Sequence, residues 1–282
     1  MAYRDLLLTA LTYPDATPDR AIRSGVALAR RLGGKLTFLT VRIDLPQLHN
    51  RLANALMDLD QLSDIEQARS AATADLEAVC ARIAAEIFKA PIEVATVTAR
   101  LYEETDVVVR AARTHDLILA PIGPAVLADR NLAETILFDA GRPLLVYPEA
   151  AQITAGDGFA RVSVAWDGGR AAARAVADAL PILAAAGEVR IFTALGDKPQ
   201  ADSGSAADLV RHLREHGIQA KVDERLDSDR RIGARLKAYV DEVKPDLLVM
   251  GAYGHARLRE FILGGATEAI LEDPPCPVLM SH

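Results

Sequence analysis

The chain has 282 residues and a formal net charge of −7, and 50% of its residues are apolar. This length suits two domains of ordinary size, each with a substantial core. An acidic chain without a basic tract is a poor general binder of nucleic acid or of anionic membranes. We therefore expect neither partner, although a local anion site stays open.

The sequence has no signal peptide and no apolar run of about 20 residues, which a membrane-spanning helix needs. We therefore expect a cytoplasmic protein. Its cysteines, Cys80 and Cys276, stand far apart and in no motif, which predicts buried thiols and no disulfide. His212 and His216 have a spacing that can bind metal, but no carboxylate or cysteine accompanies them, so we expect no metal site.

Short apolar runs alternate with helical stretches along the chain, which is typical of a parallel sheet covered by helices on both faces. The predicted strands are 5–11, 35–43, 92–98, 116–122 and 143–147, followed by 161–166, 188–194, 219–226, 246–250 and 277–280. The clearest predicted helices are 19–32, 103–113, 170–186, 205–216 and 230–243. Right-handed crossovers make each set of five strands a doubly wound α/β unit.

The two sets of elements follow one plan. Residues 133–143, AETILFDAGRP, align without a gap on 267–277, TEAILEDPPCP. We therefore predict two domains, 1–149 and 160–282, joined by a segment rich in small residues. The first half also has a helical excess over 49–88, predicted as one long helix or two shorter ones. It serves either as an ordinary crossover or as a surface for a partner.

Glycines surround a basic segment in the second half, between a predicted strand and a predicted helix. They are Gly251, Gly254, Gly264 and Gly265, and the segment between them carries His255, Arg257 and Arg259. Glycines let backbone N–H groups approach a phosphate, and a helix N-terminus adds unpaired donors and a partial positive charge. The segment therefore either binds a ribose and a chain of phosphates or only makes tight turns and a helix cap.

The spacing G-x-x-G, nine residues, G, followed by a helix, resembles the nucleotide-binding motif of the universal stress protein family. VSVAWDGG at 162–169 resembles the family's first strand, which ends in an aspartate, and CPVLM at 276–280 resembles its last strand. The repeated plan resembles a tandem member over essentially the whole chain. This resemblance implies two doubly wound, parallel five-stranded sheets with helices on both faces, of the adenine nucleotide α hydrolase-like kind. Their last strands would pair as a pseudo-dimer, and homodimers could form through the helical excess.

Family members with the full motif bind ATP, usually without a defined reaction. The resemblance therefore implies a stress-response protein whose second half binds ATP or a related adenine nucleotide, alone or with Mg²⁺, for regulation or stability. By position, Asp167 would contact the nucleoside, and Met250 and Gly251 would touch adenine and ribose. Ala165 and Ala194 would line the adenine pocket. The residues implied around the phosphates are Gly254, Gly264, Gly265, Ala266 and Thr267. His255, in the same loop, either touches phosphate or is an exposed loop residue.

One position departs from the family's pattern. The ATP binders usually have Ser or Thr after the last glycine of the motif, where this chain has Gly265. The lost hydroxyl is worth about 0.5–1.5 kcal/mol, so ATP binding weakens about tenfold at most. Thr267 offers another hydroxyl in the first helical turn. The alternatives are a nucleotide-free interaction protein of the same family, or a weak ATPase; with no Walker A or G-x-S-x-G sequence, no catalytic residue is assigned.

The first half lacks the nucleotide-binding features. Pro121 and Pro124 stand at the positions of Gly251 and Gly254, and no aspartate ends its first strand. Proline removes a backbone donor and restricts the turn. We therefore predict that the first half is a degenerate copy that does not hold ATP in this way and that contributes packing and partner contacts.

Overall fold

The computed structural model describes residues 3–12, 16–44, 59–88, 92–100, 103–124, 126–195, 199–226, 231–253 and 265–282. The strands of the first half are β1 (Asp5–Thr9), β2 (Lys35–Asp44), β3 (Glu93–Arg100), β4 (Leu117–Ile122) and β5 (Leu144–Pro148). Those of the second half are β6 (Arg161–Ala165), β7 (Glu188–Leu195), β8 (Ala220–Leu226), β9 (Leu247–Gly251) and β10 (Val278–Ser281). The helices are α1 (Asp19–Leu32), α2 (Leu59–Ile87), α3 (Glu104–Ala112), α4 (Leu127–Asp139), α5 (Arg170–Ala185), α6 (Pro199–Glu215), α7 (Ile232–Val243) and α8 (Gly265–Glu272).

These strands form one ten-stranded sheet in the order β3-β2-β1-β4-β5-β10-β9-β6-β7-β8. Neighbours within each half are parallel, whereas β5 and β10 pair antiparallel, with Val146 opposite Val278 and Leu144 opposite Met280. This confirms the two parallel five-stranded units and their packing as a pseudo-dimer. The units share one continuous sheet because their last strands pair with each other.

Helices cover both faces of the sheet, and each face has a core that runs through both halves. One core contains buried residues of α1, α2, α5 and α6, such as Ile22, Leu76, Ala175 and Leu209. The other contains buried residues of α3, α4, α7 and α8, such as Val108, Ile136, Leu236 and Ile270. The continuous apolar strands, buried on both sides, are what a parallel sheet between two helical layers requires.

The helical excess of the first half is one helix over the part that the structure describes. α2 runs through Leu59–Ile87, while 49–58, the first part of the predicted excess, lie outside the described ranges. It packs on α1, where Arg82 Nη2 contacts Asp19 Oδ2 at 2.8 Å. α6, its counterpart, begins at Pro199, earlier than the 205 predicted from sequence. Proline suits a first helical position, because the N–H that it lacks would have no partner there.

A side-chain hydrogen bond also joins the two halves, because the Tyr3 hydroxyl donates to the carbonyl of Asp178. Within the second half, Ser281 Oγ donates to the carboxylate of the same residue at 2.9 Å. Both cysteines are buried free thiols, as predicted, and burial raises the pKa of Cys80 to about 12. Within the described ranges, no helix combines the length and apolarity that crossing a membrane would need.

Candidate functional site

The carboxyl ends of β6, β7 and β9 lie side by side in the second half, where a doubly wound sheet is expected to have its ligand crevice. β6 lies between β9 and β7, and the chain leaves β6 through α5 to reach β7. Strand order therefore reverses between β6 and β9, which is where doubly wound sheets place their ligands. Ala165 and Met250 are register partners on these two strands, and Ala194 lies near the end of β7, half-buried.

A tight turn after β6 holds Asp167 at this edge. Asp167 Oδ1 accepts a hydrogen bond from the backbone N–H of Gly169 at 2.8 Å, and the Asp167 side chain is exposed. Gly168 has a φ of 71°, a left-handed conformation that favours glycine. The neighbouring Trp166 donates through Nε1 to Ser205 Oγ at 2.7 Å. The turn thus fixes the Asp167 carboxylate beside the first turn of α5.

Gly251 is required by packing. A Cβ built on it would lie 2.3 Å from Ala172 N and 2.5 Å from the carbonyl carbon of Ala171, both in the first turn of α5. No side chain fits there, so β9 ends in close contact with that helix. Close packing against α5, rather than a tight turn or a helix cap, therefore accounts for this glycine, and a ligand contact through its backbone remains a prediction.

Thr267 anchors the start of the loop that follows β9. Its Oγ1 accepts a hydrogen bond from the backbone N–H of Tyr253 at 3.2 Å, and its side chain is only 3% exposed. Tyr253 has a φ of 56°, which is uncommon for a residue with a bulky side chain. The hydroxyl that the sequence offered to phosphate is therefore buried and acts as an acceptor that ties the loop to α8.

Gly265 begins α8 and is exposed. Among the residues that the structure describes, a Cβ built on it would come within 4 Å only of Ile232 Cγ2, at 3.9 Å. Ala266 is half-buried against the core. The first N–H groups of a helix lack partners within the helix and favour anions. Unlike Gly251, Gly265 is not required by packing.

An aromatic cluster beside the loop was not predicted from sequence. The Tyr253 ring lies 4.5 Å from that of Phe138 on α4, and the His282 ring lies 4.9 Å from Phe138. Burial, followed by the Glu134 carboxylate, raises the pKa of Tyr253. Tyr253 thus packs against the first half, and its position inside the glycine motif was the signal that could have revealed this contact.

The predicted site residues divide into two sets. Those that the structure brings to this edge are Ala165, Asp167, Ala194, Met250, Gly251, Gly265, Ala266 and Thr267. Gly254, His255 and Gly264 lie outside the described residues. Sequence reasoning missed Trp166, although it directly precedes Asp167 and is the chain's single tryptophan. Among the residues that the structure describes, no group of three or more His, Cys, Asp or Glu side chains could hold a metal ion.

Comparisons with known proteins agree with this architecture. Residues 158–282 match the model of the universal stress protein family. A universal stress protein from Archaeoglobus fulgidus DSM 4304 is similar over 98% of this chain and 97% of its own, with a TM-score of 0.69 and 18% identity. A protein of unknown function from Pseudomonas aeruginosa PAO1 is similar over 99% of this chain and 92% of its own, with a TM-score of 0.55 and 15% identity.

At such identities the two structures show likeness of fold alone. Among curated proteins, none matches the chain significantly. The family model covers the second half, and the shared fold extends through both halves. The second half therefore matches a universal stress protein domain, and the chain as a whole shares its fold with these structures.

Proposed function

We propose that the second half binds ATP or a related adenine nucleotide in the crevice at the carboxyl ends of β6, β7 and β9. The observation that carries this proposal is the juxtaposition of the strand ends with the start of α8. Ala165 and Met250 are paired there, and α8 begins at the exposed Gly265, around which the described residues leave space. A phosphate at that N-terminus would gain backbone donors and the helix dipole.

The binding is proposed to serve regulation or stability in the cytoplasm, without fast turnover. Asp167 is the carboxylate that faces this edge, and it already accepts from the Gly169 amide. That position suits contact with a nucleoside hydroxyl better than proton transfer, since a general base must reach the proton that it abstracts. Homodimerisation of the whole chain is a separate proposal, and its test is the molar mass in solution.

The first experiment is to acid-denature freshly purified protein and quantify any nucleotide released by chromatography. Mg-ATP is then titrated into the stripped protein, with heat and tryptophan fluorescence as readouts. Trp166 is the chain's single tryptophan and lies beside Asp167, so its emission reports on this crevice. We expect one nucleotide per chain. The fluorescence change should saturate at the same Mg-ATP concentration as the heat of binding.

Gly265 offers a matched pair of variants. Gly265→Asp puts a carboxylate where the phosphate is proposed while keeping a residue that helix N-termini favour. We expect it to fold normally and to bind Mg-ATP at least about tenfold more weakly, because of charge repulsion. Gly265→Ser adds a hydroxyl without added charge and should bind as well as the natural protein or up to about tenfold more tightly.

Asn131→Asp is the control, since Asn131 is the exposed residue of α4 in the first half that aligns with Gly265. It should leave Mg-ATP binding unchanged. No nucleotide, and no heat at millimolar Mg-ATP, would overturn the proposal and favour the nucleotide-free interaction protein. Equal Mg-ATP affinity of the Gly265→Asp and Gly265→Ser variants would show that the phosphates do not bind at the N-terminus of α8.

A further inference from the structure

Tyr253 connects the two parts of the proposed nucleotide site. It follows the end of β9, and its backbone N–H donates to Thr267 Oγ1, in the first turn of α8, at 3.2 Å. The neighbouring Ala252 donates its N–H to the carbonyl of Ser281 on β10 at 2.8 Å. The position of Tyr253 therefore sets how the end of β9 lies relative to the start of α8, which is the juxtaposition that carries the proposed nucleotide binding.

The backbone of Tyr253 has a conformation that needs support. Its φ of 56° lies in the left-handed region, where the Cβ of an L-residue comes too close to the following carbonyl oxygen. Such conformations persist only where the surrounding structure holds them in place. A contact between two aromatic rings can supply that support, because it contributes about as much free energy as the left-handed conformation costs.

The ring of Tyr253 packs on a residue of the first half. The Phe138 ring, near the end of α4, lies 4.5 Å from it at an interplanar angle of 33°. The His282 ring completes the cluster, 4.9 Å from Phe138 and 6.4 Å from Tyr253, and its Nδ1 lies 3.1 Å from the carbonyl oxygen of Ala252. Tyr253 is left only 6% exposed. The first half thus supplies part of the surface that encloses this ring.

Phe138 contributes little to the core of its own half. Its neighbours Ile136 and Leu137 are buried in that core, whereas Phe138 is 45% exposed. The ring contacts described above are with Tyr253 and His282, both in the second half. Truncation of this side chain should therefore leave α4 folded while removing a contact that the second half uses.

The contact has no counterpart in the opposite direction. In the alignment of 133–143 on 267–277, Glu272 of α8 stands at the position of Phe138. Gly123 follows β4 as Tyr253 follows β9. Neither ring is therefore repeated, although the two halves share one plan. Phe138 belongs to the half that lacks the nucleotide-binding features, and Tyr253 belongs to the half that has them, as expected if the first half supports the second.

We propose that Phe138 is a positioning residue for nucleotide binding in the second half. Its ring holds the ring of Tyr253, which keeps the Tyr253 backbone in its left-handed conformation and its N–H on Thr267. The end of β9 and the start of α8 then stay fixed relative to each other. This inference rests on the proposed function, and it gives the first half a part in a binding site that its own loops do not form.

The test uses the full chain. Hydrogen exchange of the Tyr253 amide is measured without nucleotide, and Mg-ATP affinity is measured by calorimetry. We expect Phe138→Ala to speed the exchange and to weaken Mg-ATP binding, each about fivefold, because Tyr253 loses the ring on which it packs. Phe138→Tyr keeps a ring and should match the natural protein in both measurements. Leu127→Ala is the control, since Leu127 is an exposed apolar residue of the same helix, and it should change neither.

A second variant shows whether Phe138 acts through Tyr253. Tyr253→Gly removes the ring and suits the left-handed backbone, so it should fold. We expect it to weaken Mg-ATP binding about fivefold, and the addition of Phe138→Ala should weaken binding no further. If Phe138 served only general stability, Phe138→Ala would lower the unfolding temperature and leave the Mg-ATP affinity of the folded protein unchanged.

The outcomes separate this inference from the proposed function. No Mg-ATP binding by the natural protein would overturn the proposed function, and the role of Phe138 with it. Unchanged Mg-ATP affinity or unchanged amide exchange in Phe138→Ala would overturn the role of Phe138 alone, as would a further loss of affinity when Phe138→Ala is added to Tyr253→Gly. If Phe138→Ala fails to fold, Phe138→Gln decides and should show the same two effects, because glutamine is a good helix former and this position is half-exposed.

Discussion

The same backbone amide is held differently in the two halves. Gly123 follows β4 as Tyr253 follows β9, and each donates its N–H to a side chain of the next helix. The acceptor is the Asp129 carboxylate in the first half and the Thr267 hydroxyl in the second. One hydrogen bond is thus kept in both halves, while its acceptor changes from a carboxylate to a hydroxyl.

The connecting loops also differ in opposite directions. In the first half β4 connects to α4 through 123–126, whereas in the second β9 connects to α8 through 252–264. The loops before α1 and α5 show the reverse, with 10–18 in the first half and 166–169 in the second. The sheet itself is the same in both halves. Divergence after duplication therefore lies at the carboxyl ends of the strands, where loop changes do not disturb the cores.

The largest expected effect comes from Gly251→Ala. Its Cβ would lie 2.3 Å from Ala172 N, a backbone atom that cannot rotate away. Overpacking typically costs about 1–3 kcal/mol, and we expect a loss of stability of about 3 kcal/mol here. Denaturant unfolding monitored by circular dichroism measures it.

Pro121→Ala is the matched change in the first half and should cost less than about 1 kcal/mol, mostly through unfolded-chain entropy. An equal loss of stability in both variants would contradict this difference between the two halves. That result would mean that β9 can move away from α5, and that Gly251 is present for another reason.

Much of this fold could be predicted from the sequence because its signals are local. Apolar strands alternating with amphipathic helices gave the two α/β units, and the repeat of 133–143 at 267–277 gave their equivalence. The roles of Thr267 and Asp129 could not be read this way. Each depends on a contact with an amide on a different element, and residue type alone does not show whether a hydroxyl faces a ligand or the core.

A second, smaller effect is expected from Thr267→Val. The substitution keeps the shape and removes the acceptor of a buried amide, which costs about 1–2 kcal/mol. The amide of Tyr253 should exchange with solvent faster, and Mg-ATP binding should weaken with it because the loop loses its anchor. Thr267→Ser keeps the acceptor and should protect that amide. Unchanged exchange in Thr267→Val would show that α8 does not hold this loop.

The smallest effect is expected at the ion pair that crosses between the halves. Arg130 Nη2 lies 3.4 Å from Glu268 Oε1, with side chains 20% and 44% exposed. A double-mutant cycle with Arg130→Gln and Glu268→Gln should give a coupling of about 0.5 kcal/mol, and high salt should reduce it. The Arg130–Glu134 pair, at 2.8 Å within α4, provides a reference cycle of similar size.

A coupling above about 2 kcal/mol would contradict the view that β5, β10 and the shared cores hold the halves together, because a partly exposed pair rarely contributes so much.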